Sequence, residues 1–278
     1  MKTRIITSIV ACMVLIPVLI FSETPAFPIG LAVCAVLAVY EMLGCLKLRG
    51  SLLLSVPLYL SAAALPFLVR YLPSEELFGK IATAMVCLGV LYYFSVLVFS
   101  HWKYSFQEIG ACFFSMLYIL IGFTAIIYIF RFVTGGSLMY LSIFIGAWVT
   151  DTFAYFCGML LGRGGKHKLI PDVSPKKTVE GAIGGIVFCV LAMILFGVII
   201  ESATPYHANL LAFAFAGLAA SIVSQVGDLS MSFIKRTYDI KDYGKIFPGH
   251  GGIMDRFDSI LAVAIVLMVC SGFFNFLY

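Results

Sequence analysis

Five acids and five bases crowd into residues 225–258 of a chain that is apolar almost everywhere else. The acids are Asp228, Asp239, Asp242, Asp255 and Asp258, and the bases are Lys235, Arg236, Lys241, Lys245 and Arg256. Over all 278 residues, only 12% are charged and 62% are hydrophobic. Ionisable groups beside a hydrocarbon core are costly and tend to mark function. Acids and bases packed together at a membrane edge predict metal-assisted chemistry on a phosphorylated substrate.

Within the stretch, Asp228 follows Gly227 where one apolar run ends. Asp255 and Asp258 stand three residues apart where the next run begins, with Arg256 between them. Magnesium takes a few carboxylates and fills its remaining positions with phosphate oxygens and water. Asp228 and Asp255, from two neighbouring spans, would supply that arrangement. The segment Pro248-Gly249-His250-Gly251-Gly252 is a tight loop where backbone can approach a ligand. His250 is therefore a substrate-contact candidate, with an ordinary surface histidine as the alternative. Asp239 and Asp242 alternate with Lys241 and are expected to be solvated salt-bridge partners.

A second constellation lies at residues 162–180, GRGGKHKLIPDVSPKKTVE. Gly162, Gly164 and Gly165 leave backbone amides free for an anion. Arg163, Lys166, His167, Lys168, Lys176 and Lys177 add charge, and Ser174 and Thr178 flank the lysine pair. Thr178 is placed to cap a following helix. A helix N-terminus beside two lysines suits a phosphate. Taken alone, the loop has a plainer alternative reading as a basic connection that only orients the protein. It is not a Walker A motif, because G-K-[ST] is absent.

The third feature is Asp151, in WVTDTFAYFCG. It precedes Gly162 by roughly 15 Å of helix, which is near mid-bilayer. A carboxylate at that depth needs a wet cavity or a partner. Tyr155 shares its helix face, and Gly158 and Gly162 extend that face as a G-x-x-x-G pair that permits close helix approach. The plainer alternative is an acid that ties helices together.

Positioning these groups requires membrane helices. The mean hydropathy is +1.06, and long uncharged runs of this kind mark a polytopic membrane protein. Lipid offers no partner to backbone polar groups, so the spans must be helices. The fold class is an all-α integral membrane protein of about nine transmembrane helices. The spans are expected at roughly 4–22, 27–46, 51–70, 77–100, 109–131, 137–161, 181–200, 208–226 and 259–277. The eighth is expected to continue as helix from Asp228 to about Tyr238. Residues 1–278 make one membrane domain. Its N-terminal spans, to about residue 135, carry little chemistry, and the part from about 136 onward carries the loops at 162–180 and 227–258.

The basic residues orient it. With the N-terminus cytoplasmic, the cytoplasmic side holds 15 of the 18 lysines and arginines, and the far side holds only Arg70, Lys80 and Arg131. That asymmetry obeys the positive-inside rule and puts both polar loops in the cytoplasm. The run after Met1-Lys2-Thr3-Arg4 is read as the first span and not as a cleaved signal. The net charge of +4 does not imply nucleic acid. Glu41 and Glu108 read as snorkelling acids paired with Lys47, Arg49 or Lys103, and Trp102 and Tyr104 as an interface belt. The eight cysteines contain no C-x-x-C pair and read as small apolar side chains.

Three segments together go further. S-F-I-K-R, K-D and then F-P-G-H-G-G-I-M-D-R-F-D resemble the signature of the phosphatidate cytidylyltransferase, or CDP-diacylglycerol synthase, family. Upstream, DTFAYFCGMLLG, SPKKTVEGAIGG and SQVGDLSMS resemble that family's companion motifs, so the likeness covers about the last 130 residues. The resemblance implies attack of phosphatidic acid on the α-phosphorus of CTP, giving CDP-diacylglycerol and pyrophosphate. It implies Mg²⁺, a second cation such as K⁺, and a homodimer in the bacterial inner membrane with its active site facing the cytoplasm. Carried over by motif, Asp228 and Asp255 would hold the metal. Lys176, Lys177, Lys235, Arg236 and Arg256 would bind phosphates of CTP or lipid, with Ser174 and His250 beside them. Asp151 would line the polar cavity.

Two other readings stay open. A sister enzyme would use CTP on another phosphorylated lipid, such as a polyprenyl phosphate. An ion or lipid transporter would use Asp151 as a coupling group, although charge clusters at one face and not along a span axis.

Overall fold

The computed structural model describes residue 13 and residues 16–162, 167–249 and 251–278. The expected span at 4–22 falls largely outside these residues, as do Arg163, Gly164, Gly165, Lys166 and His250. The chain divides into two compact units. Met1–Thr124 with Asp242–Met254 form the first, and Ala125–Lys241 with Asp255–Tyr278 form the second.

The helices in order are α1 Ala26–Cys45, α2 Leu52–Tyr71, α3 Glu75–Phe99, α4 Phe106–Phe132, the single turn α5 Gly136–Met139 and α6 Leu141–Leu161. After a short hairpin, β1 Lys168–Ile170 and β2 Ser174–Thr178, come α7 Val179–Ala203, α8 Leu210–Thr237 and α9 Met254–Phe273. Among the described residues, eight helical segments are long and apolar enough to cross a membrane, with Gly136–Leu161 counting as one. The protein is a polytopic integral membrane protein.

Each expected span other than the first meets one of these helices within a few residues. Their ends follow from side chains that satisfy the first turn. Ser51 accepts from Leu54 N, Ser74 from Leu77 N, and Asn209 from Ala212 N. Ser105 and Glu108 form a reciprocal capping box: Ser105 N donates to Glu108 Oε2 at 2.8 Å, and Glu108 N donates to Ser105 Oγ at 3.1 Å. Glu108 is thus a helix cap, where a snorkelling ion pair was expected.

In the second unit, α6, α7 and α8 pack on one another. Small residues set their approach, as lipid-embedded helices require. A Cβ added at Gly181 would overlap the carbonyl oxygen of Ala154, and one at Gly158 would lie 2.8 Å from Thr178 Oγ1. Gly146 meets α9 in the same way, since its added Cβ would lie 2.9 Å from Val263 Cγ1. The G-x-x-x-G pair Gly158 and Gly162 therefore receives Thr178 and the start of α7.

The hairpin lies in the polar connection between α6 and α7 and leaves the all-α membrane fold unchanged. Residues 168–178 pair antiparallel, Lys168 with Thr178 and Ile170 with Ser174. Tyr104 is buried, its hydroxyl 2.5 Å from Ser51 Oγ, so it leaves the expected interface belt, whereas Trp102 is 98% exposed and its neighbours Phe99 and Phe106 are exposed too. Cys45, Cys112, Cys189 and Cys270 are buried as expected, whereas Cys87 is exposed.

Candidate active site

The site is assembled on four elements of the second unit: α6, β2 with the start of α7, the C-terminal part of α8, and the first turn of α9. The 28-residue α8 explains half of it. Its apolar part crosses the membrane, and the helix then runs on without a break, carrying Asp228, Ser232 and Lys235 on successive turns of one face. The expected continuation from Asp228 to Tyr238 is present as helix to Thr237. Lys235 and Arg236 fall in its last turn, where the helix dipole favours cations.

Two lysine–aspartate pairs define the geometry. Lys177, the penultimate residue of β2, places Nζ 2.5 Å from Asp228 Oδ2. The pair is only partly covered, with 23% and 28% of the two side chains exposed. Its approach is close but off hydrogen-bond direction, so the buried Lys177 ammonium has no aligned acceptor among the described residues. Lys235 donates from Nζ to Asp255 Oδ1 at 2.8 Å, and here the side chains are only 11% and 4% exposed.

Further acids gather around them. Asp258 lies one turn beyond Asp255 and is buried, with Oδ1 accepting from Ser259 N at 2.8 Å. Ser259 Oγ donates to Asp151 Oδ2 at 3.3 Å, which links α9 to the middle of α6. Asp151 lies at an accessible position on α6. The Asp228 charge acts on both Asp151 and Asp258, and Asp151 also feels Lys177 and Arg256. Ser232 Oγ donates to Asp228 Oδ1 at 3.3 Å. One turn earlier on α8, Ser224 Oγ is buried and has no partner among the described residues.

Thr178 holds the loop side of the site. Its Oγ1 accepts from Gly181 N at 3.1 Å, capping α7 as expected and fixing the residue next to Lys177. His167 Nδ1 lies 2.6 Å from Glu180 Oε1 and ties the start of the hairpin to the same turn.

The expected site residues divide. Asp151, Lys177, Asp228, Lys235 and Asp255 share one neighbourhood, with Arg256 exposed at its edge. Lys176 points outward on β2, Ser174 is half-buried at the far end of that strand, and Arg236 is exposed with Nη1 donating to Ile240 O at 3.4 Å. Asp239 and Asp242 make no ion pair among the described residues. His250 lies outside those residues. Asp258, Ser259 and Ser232 complete the neighbourhood and were not expected as site residues. The i, i+3 spacing of Asp255 and Asp258 was the available signal for Asp258, since it puts both on one helix face.

The donor set fits a hard cation: carboxylate oxygens with no thiolate or imidazole among the described residues of the cluster. The same residues carry no preformed cage, because no group of three His, Cys, Asp or Glu stands in metal-holding geometry among the described residues. Magnesium is commonly held by one or two carboxylates and completed by substrate phosphate oxygens.

Polytopic membrane helices that carry a mixed acid–base site define a class of membrane enzyme. The chain belongs to the cytidylyltransferase family, whose family model matches residues 2–274. It is similar to the phosphatidate cytidylyltransferase of Staphylococcus epidermidis, strain RP62A, at 34% identity over 277 residues, covering 97% of this chain and 98% of the relative. The Bacillus subtilis strain 168 protein of the same name is 35% identical over 268 residues, covering 95% and 94%. That of Staphylococcus aureus strain COL is 34% identical over 281 residues, covering 97% and 98%.

Proposed function

We propose that this protein transfers the cytidylyl group of CTP to phosphatidic acid, giving CDP-diacylglycerol and pyrophosphate for phospholipid synthesis. The observation that carries the reading is the pair of lysine–aspartate contacts, Lys177–Asp228 and Lys235–Asp255, in a chain matched by the family along nearly its whole length.

The chemistry asks for charge control above all. A phosphate oxygen of phosphatidic acid attacks the α-phosphorus of CTP, and the bond to the β-phosphate oxygen breaks as pyrophosphate leaves. The lipid phosphate is already anionic at neutral pH, so no strong general base is needed. Two anions must instead be brought together in line. Lys177, paired with Asp228 but with no aligned acceptor among the described residues, would take a phosphate oxygen, and Arg256 at the edge would add a second cation. Lys176 and Arg236, both exposed, meet phosphates as they arrive from the aqueous side. Asp228 and Asp255 would hold magnesium together with the triphosphate. Bound there, the ion supplies positive charge to the transferring and leaving oxygens. Buried Lys235 holds the Asp255 carboxylate in place.

The cytoplasmic placement of the site and of the N-terminus rests on the distribution of basic residues. An inner-membrane location and a homodimer belong to the same reading, through the family resemblance.

The test is incubation of purified protein with labelled CTP and a panel containing phosphatidic acid and polyprenyl phosphates, with and without Mg²⁺. CDP-diacylglycerol with stoichiometric pyrophosphate supports the reading. Product formed only on another phosphorylated lipid would replace the acceptor.

A further inference from the structure

We infer that Glu41 is a positioning residue for cytidylyl transfer: its buried carboxylate holds the backbone at the start of α9, one residue before Asp255. The inference rests on the reaction proposed above.

Glu41 lies near the C-terminal end of α1 and is 1% exposed. It was expected to snorkel toward Lys47, Arg49 or Lys103. Its carboxylate instead turns inward and accepts from two successive backbone amides. Ile253 N donates to Oε1 at 3.1 Å, and Met254 N donates to Oε2 at 2.8 Å. Both partners are more than 200 residues away in sequence and belong to the same compact unit. The contact is built for closeness. A Cβ added at either Gly244 or Gly252 would overlap a carboxylate oxygen of Glu41, so two glycines clear its path.

The segment that Glu41 holds follows a glycine-rich stretch. It leaves a turn in which Phe247 N donates to Gly251 O at 2.9 Å, with Gly249 at φ 81° and Gly251 at φ 86°. Only glycine adopts such angles without penalty. Glycine-rich backbone has wide freedom, and a carboxylate bridging two consecutive amides removes it where the helix must begin. Asp255 is the next residue of that helix, and its position follows from where the helix starts.

Glu41→Gln keeps the shape of the side chain but sets an NH₂ group against an amide donor. It is expected to speed hydrogen exchange at Ile253 and Met254 and to lower kcat on the order of 10–100-fold, the usual loss when a group supporting a functional carboxylate is removed. The KM for phosphatidic acid stays near wild type, and the protein remains folded in detergent with a lowered thermal midpoint. Gly252→Ala displaces the carboxylate without removing its charge and should give the same pattern. Added to Glu41→Ala, it should cause no further loss.

Wild-type exchange at both amides in Glu41→Gln, or undiminished kcat in both single variants, would overturn the inference. So would loss of the fold in both, which marks a purely structural contact. The exchange measurement does not depend on turnover. A wild-type protein that makes no CDP-lipid would defeat the proposed reaction while leaving the Glu41 contact testable.

Discussion

The Nζ of Lys235, on the last turn of α8, donates to Oδ1 of Asp255 at 2.8 Å in the first turn of α9, with both side chains almost sealed from solvent. The pair joins the aqueous extension of one span to the entry of the next. Removing one partner leaves an uncompensated charge in a covered position. Lys235→Met is therefore expected to destabilise the protein by about 3–5 kcal/mol, read as a lowered thermal midpoint in detergent. Lys235→Met combined with Asp255→Leu should recover much of that loss while remaining inactive. A double variant no more stable than the single would show that the pair does not hold the two helices.

The Lys177–Asp228 pair should behave oppositely, because it is partly exposed. Such pairs contribute about 0–1 kcal/mol, so Lys177→Gln should leave the thermal midpoint nearly unchanged. If its ammonium meets a substrate phosphate, kcat/KM for CTP should fall by roughly 100-fold or more, the size of effect seen when a preorganised charge-stabilising donor is removed. A variant with normal kinetics would remove Lys177 from the proposed mechanism.

Gly181 tests how the loop is set. Its added Cβ would overlap the Ala154 carbonyl oxygen, a backbone atom that cannot move aside alone. Gly181→Ala should push α7 from α6 at a cost of about 1–3 kcal/mol and carry Lys177 with it. Thr178→Val removes the cap at Gly181 N and should cost about 1 kcal/mol. Both variants should lose activity in parallel with the displacement of the hairpin, measured as faster amide exchange in residues 167–181.

Orientation can be read by labelling. In a cysteine-free background, Lys176→Cys should react with a membrane-impermeant maleimide from the cytoplasmic side only. Tyr206→Cys, between α7 and α8, should react from the opposite side only. Reversed accessibility would overturn the cytoplasmic placement of the site.

The spans were legible because lipid imposes a length and forbids charge, so eight of them stand out in the residues themselves. The extension of α8 past Asp228 was legible for a related reason: helix periodicity persists after the apolar run ends. The hairpin at 168–178 was not, since its strands are only three and five residues long, too short for an alternating pattern to mark them. Asp255 and Asp228 could be named from type and spacing. Their pairing with Lys235 and Lys177 could not, because each pair joins different elements. Glu41 was the largest departure. Its partners are backbone amides 212 and 213 residues away, and no pattern of side chains announces them.

The most direct measurement is CDP-diacylglycerol formation from CTP and phosphatidic acid by purified Asp228→Asn, beside wild type, with Mg²⁺ varied. The account predicts a folded protein with a wild-type thermal midpoint and a rate lower by on the order of 1,000-fold, as expected when charge stabilisation at a transferring phosphoryl group is lost. Asp228→Asn that makes CDP-diacylglycerol at the wild-type rate, with the same Mg²⁺ dependence, would contradict it.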